Sequence, residues 1–156
     1  MLTEPLPADG PCSERRPSGA IRSILLATDL SAASTSAAAQ ALDLAHDLGA
    51  GVLIMSVIDR SPVSRDTPRR IDQVRLEREL AAQDVVIRGR ARGVPVRFLI
   101  WQGSPGEAIV EVARSEQVDL VVVGSHGRGP VGRMLSGSVS EHVVRNAPCP
   151  VLVVRA

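Results

Sequence analysis

The stretch GSHGRGPVGRMLSGS, residues 124–138, is the part of the sequence whose residue types and spacing best suit ligand chemistry. It contains five glycines and three serines and follows the apolar run VDLVVV, which is typical of a buried strand. Glycine lets the backbone turn tightly and approach a ligand closely, because no Cβ stands in the way. Glycine-rich turns between a strand and a helix hold phosphates through backbone N–H groups. The stretch therefore predicts a phosphate-binding loop.

One division of this loop gives the pattern G-x-G-x-x-G at Gly127, Gly129 and Gly132, the spacing of a dinucleotide-binding loop. That fingerprint also requires an acidic residue at the end of the following strand, where it binds a ribose. The next apolar run ends at Arg155 and supplies no such acid. The dinucleotide interpretation is therefore disfavoured.

A second division pairs Gly124 and Gly127 with Gly137 and Ser138, with nine residues between the two pairs. The first pair lets the backbone leave the strand in a tight turn. The second pair begins the last predicted helix, where free N–H groups and the positive end of the helix dipole favour a phosphate. The sequence contains no lysine, so backbone donors would have to replace the lysine of a Walker-type loop.

Short apolar runs alternate with helical patterns along most of the chain. Five strands alternating with four helices predict an α/β fold, an open parallel sheet with helices on both faces. In such sheets a ligand binds beyond the carboxyl ends of the strands, where the strand order reverses. The predicted strands are residues 21–28, 51–58, 94–101, 118–124 and 149–156, and the helices are residues 31–49, 68–92, a segment opening at 105, and 137–146.

The helix boundaries have recognisable signals. Ser31 is the expected N-cap of the first helix, and Ser104 with Glu107 has the spacing of a capping box at the third. In the short fourth helix, Val139 and Val143 are the expected buried residues.

Composition narrows the classes of protein that fit. The 18 basic residues, all of them arginine, nearly balance the 17 acidic ones, which leaves a net charge of +1. Bulk charge therefore draws the chain neither to nucleic acid nor to an anionic membrane. Phe98 and Trp101 are the two aromatic residues, so a site that stacks bases on aromatic rings is also disfavoured. We expect no nucleic-acid partner and no membrane partner.

The chain divides into a tail and a domain. Residues 1–20 carry four prolines and two glycines, a composition that predicts a flexible N-terminal tail. Residues 21–156 are enough for one domain with its own core. Cys12 and Cys149 show no metal-ligand or redox spacing, and neither a signal peptide nor a membrane span is recognisable. We expect a cytoplasmic protein.

The motif G-x2-G-x9-G-[S/T], matched by Gly124, Gly127, Gly137 and Ser138, resembles that of the universal stress protein family in its ATP-binding branch. The segments ILLATDLS and GSVSEHVVRNAPCPVLVVR also look like the first strand and the usual ending of that family. The resemblance covers residues 21–156, the whole predicted domain.

The resemblance implies a Rossmann-like sheet, similar to the adenine nucleotide alpha hydrolases, in the strand order 3-2-1-4-5. It implies ATP, with Mg²⁺, in the cleft between the first and fourth strands. Asp29 would contact the ribose or a metal-bound phosphate with Thr28 beside it, and the backbone of Val57 would recognise adenine. The residues implied around the ribose and phosphates are Gly124, Gly127, Arg128, Gly137, Ser138, Val139 and Ser140.

Several of these residues have a second interpretation. Asp29 could cap the helix that follows it, and the hydroxyl of Ser140 could face solvent or bond locally. Arg128 and Arg133 could touch phosphates or be solvated loop charges. His126 has a side chain suited to acid–base chemistry, but no partner arrangement of a nucleophilic triad surrounds it in the sequence. No catalytic residue and no set of protein metal ligands is assigned.

Three functions remain open at this point. The leading hypothesis is an ATP-binding regulatory or stress-response module with at most slow hydrolysis, because fast phosphoryl transfer needs groups that the sequence does not identify. The alternatives are a nucleotide-hydrolysing enzyme of the related α/β type and a nucleotide-independent dimeric interaction protein.

A homodimer is expected through the last strand, residues 150–155. This strand is apolar on both faces and no helix follows to cover its edge. An uncovered edge invites pairing with another strand. The family resemblance implies the same interface.

Overall fold

A computed structural model describes residues 19–60, 67–125 and 139–155 of the chain. The strands are β1 (Ser23–Ala27), β2 (Gly51–Asp59), β3 (Val96–Gly103), β4 (Leu120–Gly124) and β5 (Val151–Val154). The helices are α1 (Thr35–Leu48), α2 (Pro68–Ala91), α3 (Pro105–Ser115) and α4 (Val139–Asn146), and a 3₁₀ turn (Ala32–Ser34) precedes α1. The strands form one sheet in the order β3-β2-β1-β4-β5, with every pair parallel. The predicted α/β fold and strand order are confirmed.

The sheet is buried on both faces because successive side chains of each strand enter two different cores. Ile24 and Leu26 of β1 pack in the core under α1 and α2. Leu25 packs in the opposite core, under α3 and α4, where Val143 is fully buried. This two-sided burial explains why the inner strands have continuous apolar runs instead of alternating ones.

The third strand lies two residues further along than its apolar run, residues 94–101, predicts. Its last residues, Gln102 and Gly103, pair in register with Ile58 and Asp59 at the end of the long strand β2. Hydrophobicity marks where a strand is covered, whereas backbone pairing continues as far as the neighbouring strand extends. The apolar pattern therefore does not predict the polar end of β3.

Two predicted capping arrangements are wrong. Ser31 occupies the N-cap position of the 3₁₀ turn but makes no side-chain capping bond, and the N-cap position of α1 itself belongs to Ser34. The Ser31 hydroxyl donates to Asp29 Oδ1 at 2.6 Å instead. Ser104 does occupy the N-cap position of α3, but its side chain makes no capping hydrogen bond, so the capping box with Glu107 does not form.

Helix α4 buries only part of its predicted face. Val143 is 0% exposed, whereas Val139 is 40% exposed in the first turn. Val139 is therefore not a core residue, because the buried face of this short helix includes Ser140 instead. Among the helices of the described ranges, none combines the length and apolar character needed to cross a membrane.

Candidate functional site

The strand order reverses at β1, which pairs with β2 on one side and with β4 on the other. Ala27, the last residue of β1, lies opposite Met55 of β2 and Val123 of β4. The chain leaves the sheet at Thr28, between the carboxyl ends of these two neighbours. Open α/β sheets bind their ligands at such a position.

The loop after β1 is organised by its own side chains. Thr28 N donates to Met55 O at 3.0 Å, and Thr28 Oγ1 accepts from Leu30 N at 3.0 Å. Asp29 Oδ1 accepts from the backbone N and the hydroxyl of Ser31, at 2.9 and 2.6 Å. These bonds form a local turn, whereas the N-cap positions of the 3₁₀ turn and of α1 belong to Ser31 and Ser34 and not to Asp29.

Leu30 adopts a left-handed backbone with φ of 59°. This conformation costs a residue other than glycine about 1–2 kcal/mol. The hydrogen bonds from Thr28 and Asp29 on either side of it hold the loop in this shape. Local strain of this kind clusters at ligand-binding sites, so it favours a functional role for the loop.

The main-chain groups of Val57 point to the β1 side of β2. Gly51 N donates to Arg22 O at 2.9 Å and Met55 O accepts from Thr28 N at 3.0 Å, so alternate residues of β2 face β1. Val57 is the next residue in this series, and β1 ends before reaching it. Its carbonyl and N–H groups therefore face the space beyond the carboxyl end of β1.

One side chain that the sequence reasoning missed reaches this carbonyl. Arg78 of α2 donates through Nη1 to Val57 O at 2.6 Å and to Ser56 Oγ at 3.0 Å. A helical period does place Arg78 on the same face as the buried Ala82 and Val85, which was the available signal. The contact itself joins residues more than twenty positions apart, so local patterns could not reveal it.

Gly124 ends β4 and lies one position beyond the pair Ala27–Val123, next to Thr28. Its neighbour Ser125 donates its backbone N–H to Val154 O at 2.8 Å, which ties the beginning of the loop to β5. Gly124 has the extended backbone of a strand, which any residue can adopt. The backbone therefore does not demand glycine at this position.

Helix α4 brings two more predicted residues to the same edge of the sheet. Because β4 and β5 are parallel, α4 must run back between them, and its first residues lie at the carboxyl edge. Val139 is exposed there, whereas Ser140 is 5% exposed. Burial excludes the interpretation in which the Ser140 hydroxyl faces solvent.

The other predicted ligand residues lie outside the part of the chain that the structure describes. They are Gly127, Arg128, Gly137 and Ser138, together with the alternative candidates His126 and Arg133. The structure thus brings Thr28, Asp29, Val57 and Gly124 to one edge of the sheet, with the start of α4 at that edge.

A cleft of about 170 Å³ adjoins this edge, between the loop after β1, the start of α1 and helix α2. Hydroxyl-bearing residues Thr28, Ser31 and Thr35 line one side, and Ala81 and Asp84 of α2 line the other. Sequence patterns do not predict this cleft, because its walls depend on how α2 packs against the α1 side of the sheet.

The described residues provide little for nucleophilic or metal chemistry. Within residues 19–60, 67–125 and 139–155, no three His, Cys, Asp or Glu side chains are grouped closely enough to hold a metal. Burial, and secondly the carboxylate of Asp119, raise the pKa of the Cys149 thiol, which keeps it protonated at neutral pH. His46 Nδ1 lies 3.1 Å from Arg92 O, and the ring of His142 packs against the start of α3.

The fold and the placement of these residues define a doubly wound α/β protein with polar residues at its switch point. A sequence profile of the universal stress protein family matches residues 20–155. The chain belongs to the universal stress protein family.

Curated relatives agree with this assignment. The chain is 38% identical over 135 residues to a universal stress protein of Thermus aquaticus, covering 86% of this chain and 98% of that protein. It is 34% identical over 139 residues to universal stress protein MJ0531 of Methanocaldococcus jannaschii, covering 86% and 82% respectively.

Solved structures share the fold. Protein MJ0577 superposes with a TM-score of 0.75 at 28% identity, over 88% of this chain and 97% of that one. A universal stress protein in complex with cAMP has a TM-score of 0.69 at 24% identity, over 86% and 97% of the two chains. One from Archaeoglobus fulgidus in complex with dAMP has a TM-score of 0.62 at 20% identity, over 86% and 98%. At these identities the two ligand complexes show a common fold alone.

Proposed function

We propose that this protein binds an adenine nucleotide, ATP with Mg²⁺, beyond the carboxyl ends of β1, β2 and β4. The observation that carries the proposal is the main chain of Val57, whose carbonyl and N–H groups extend past the end of β1 next to Thr28. Adenine presents a donor, its amino group, beside an acceptor ring nitrogen, and bases are read by hydrogen bonds along this edge. A backbone acceptor beside a backbone donor complements that edge.

The remaining ligand contacts follow from the same placement. Asp29 and Thr28 would hold the ribose or a metal-bound phosphate, and Gly124 would leave room beside them. Backbone N–H groups in a glycine loop and at a helix start favour phosphate. The residues proposed to surround the phosphates are Gly127, Arg128, Gly137, Ser138, Val139 and Ser140.

The protein would be a regulatory or stress-response module of the cytoplasm, in which the presence or absence of bound ATP is the signal. Fast hydrolysis needs a positioned nucleophile and a group that stabilises the transition state. No residue of this chain is assigned either role. We therefore propose slow hydrolysis at most. Two proteins of the same fold hold cAMP and dAMP, which supports an adenine nucleotide as the ligand class.

Thermal denaturation with and without Mg-ATP tests the proposal. At 100 times its dissociation constant, a ligand stabilises the folded state by about 2.7 kcal/mol. For a chain of this size we expect the midpoint to rise by about 5–10 °C. Magnesium tripolyphosphate at the same concentration controls for anion effects and should give a much smaller rise. An unchanged midpoint with saturating Mg-ATP would contradict the proposal.

We also propose a twofold dimer through β5, an edge strand of the described sheet. Val154 O accepts from Ser125 N and Pro150 O accepts from Val121 N, so even-numbered residues of this segment face β4. The backbone groups of Val153 consequently face the open edge.

Val153→Pro should separate the dimer into monomers, because proline removes an outward N–H without disturbing the pairing with β4. Sedimentation velocity at micromolar protein measures the change. A wild-type protein that sediments as a monomer under these conditions would refute the dimer.

A further inference from the structure

The side of helix α2 that faces away from the sheet carries a line of exposed apolar side chains. Leu76, Leu80 and Ile87 are 58%, 59% and 66% exposed. At about 100° per residue, they lie within about 40° of one another around the helix axis. The buried residues Ala82 and Val85 lie on the opposite side of the helix. Packing within this chain therefore does not explain the three exposed residues.

The spacing along this line is that of a contact between two helices. The line consists of Leu76, Leu80, Gln83 and Ile87, which we call the α2 seam. Its intervals of four, three and four residues are those of the a and d positions of a heptad. Single exposed apolar residues are common, whereas an aligned group of them marks an interaction surface. A polar residue such as Gln83 in a seam fixes the register of the partner helix.

The positions that border the centre of the α2 seam are acidic. Asp72 and Glu79 lie on one side of the two leucines, at the g positions of the same heptads. Glu77 and Asp84 lie on the other side, at the e positions. Arg75 lies closer to the sheet and is half-buried. A partner helix would therefore meet carboxylates on both sides of its apolar residues.

The hydrogen bonds of these acids within the chain leave the borders negative. Glu77 accepts from the amide of Gln73 at 3.1 Å, and this amide carries no charge. Asp84 pairs with Arg88 at 3.1 Å, but both side chains are exposed and a pair of this kind contributes little. Arg78 turns inward to strand β2 and does not reach the seam.

We propose that the α2 seam docks an amphipathic helix of a partner protein, with Leu or Ile at its a and d positions and Lys or Arg beside them. Charge complementarity selects this occupant. A second copy of this chain fits poorly, because pairing two α2 helices in either direction brings their acidic borders together. Arg69 and Arg90 lie at the two ends of the line, so the attraction for a basic helix is strongest at its centre.

This inference does not depend on the proposed nucleotide site or dimer. Helix α2 packs on β2 and β3, whereas β5 lies at the opposite edge of the sheet. The α2 seam therefore stays accessible in a dimer formed through β5.

Fluorescence anisotropy with a designed peptide tests the proposal. The probe is a fluorescein-labelled helix of three heptads, with leucine at every a and d position and lysine at every e and g position. The control peptide has glutamate in place of every lysine. We expect the lysine peptide to bind the full chain, and the glutamate peptide to bind about tenfold more weakly or less. Added salt should weaken binding of the lysine peptide.

Substitutions in the seam locate the binding. Leu80→Gln should raise the Kd of the lysine peptide about tenfold, because an apolar side chain no longer becomes buried in the complex. Leu80 is exposed and glutamine suits a helix, so the variant should fold, and Leu76→Gln is a second variant with the same expected effect. Replacing both Glu77 and Glu79 by Gln should weaken binding and reduce its dependence on salt. Leu48→Gln, at a 46% exposed residue of α1, is the matched control and should stay within about twofold of the wild type.

The results decide between occupants. Weaker binding to Leu80→Gln but not to Leu48→Gln, together with a preference for the lysine peptide, supports the inference. No binding, equal binding to Leu80→Gln and the wild type, or equal binding of the two peptides overturns it. A change in the sedimentation coefficient of the protein alone on Leu80→Gln substitution also overturns it, because a second copy would then occupy the seam. The affinity for Mg-ATP should be the same in Leu80→Gln and the wild type, and a chain that binds no nucleotide would leave the peptide test unaffected.

Discussion

Gly124→Val is expected to weaken nucleotide binding strongly in a protein that still folds. Side chains at alternate positions of β4, Leu120 and Val122, enter the core under α1 and α2, so a side chain at residue 124 would point to that same face. It would stand beside Thr28, in the room that the proposed ligand needs. Filling it should weaken ATP binding by about 100-fold or more, equivalent to about 2.7 kcal/mol of overpacking.

The measurement is calorimetric titration of ATP into the wild type, Gly124→Ala and Gly124→Val. We expect the larger side chain of valine to reduce the affinity for ATP more than alanine does. Gly51→Val is the matched control at the opposite end of the sheet. A Cβ at Gly51 would meet Pro95 O at 3.5 Å, an ordinary contact, so binding should be unaffected. Undiminished ATP affinity in a folded Gly124→Val protein would show that the ligand lies elsewhere.

Gly89→Ala should destabilise the protein more than an alanine at any other glycine of the described residues whose surroundings are known. A Cβ at Gly89 would lie 2.3 Å from Val96 Cγ2 and 3.1 Å from Leu42 Cδ2. Alanine improves helix propensity by about 1 kcal/mol, but overpacking costs about 1–3 kcal/mol. The atom that the new Cβ would meet belongs to Val96, whose short, branched side chain cannot move far aside. We expect the free energy of unfolding to fall by about 1–2 kcal/mol.

Urea denaturation of the wild type, Gly89→Ala, Val96→Ala and the double variant tests whether the clash with Val96 causes the loss of stability. Removing the Val96 methyl groups makes room for the new Cβ, so Gly89→Ala should cost much less in that background. A Gly89→Ala protein as stable as the wild type would mean that helix propensity outweighs packing. The result matters for the site because the same helix positions Arg78 at Val57.

The elements most readily predicted from the sequence are those whose pattern is local. Inner strands such as β4 have unbroken apolar runs, because both of their faces are covered. The glycine at residue 49 ends α1 in the left-handed conformation, as its position indicates. The switch point followed from the alternation of strands and helices, and with it the placement of Thr28, Asp29 and Gly124 at one edge.

Features that depend on competing or distant partners were not predictable in this way. Ser31 has the residue type of an N-cap, but its hydroxyl donates to Asp29, and nothing local favours one partner over the other. The left-handed backbone of Leu30 follows from the hydrogen bonds around it and not from its own preference. In the sequence, Arg78 resembles the solvent-exposed arginines around it. Its hydrogen bond to Val57 O depends on how α2 packs over the end of β2.

The most direct measurement of the central claim is calorimetric titration of the wild-type chain with Mg-ATP after any bound ligand has been removed. We expect saturable binding of one nucleotide per chain at micromolar concentrations, because the main-chain groups of Val57 face the space beyond the carboxyl end of β1. An absence of saturable binding at millimolar Mg-ATP, in a protein shown to be folded, would contradict it.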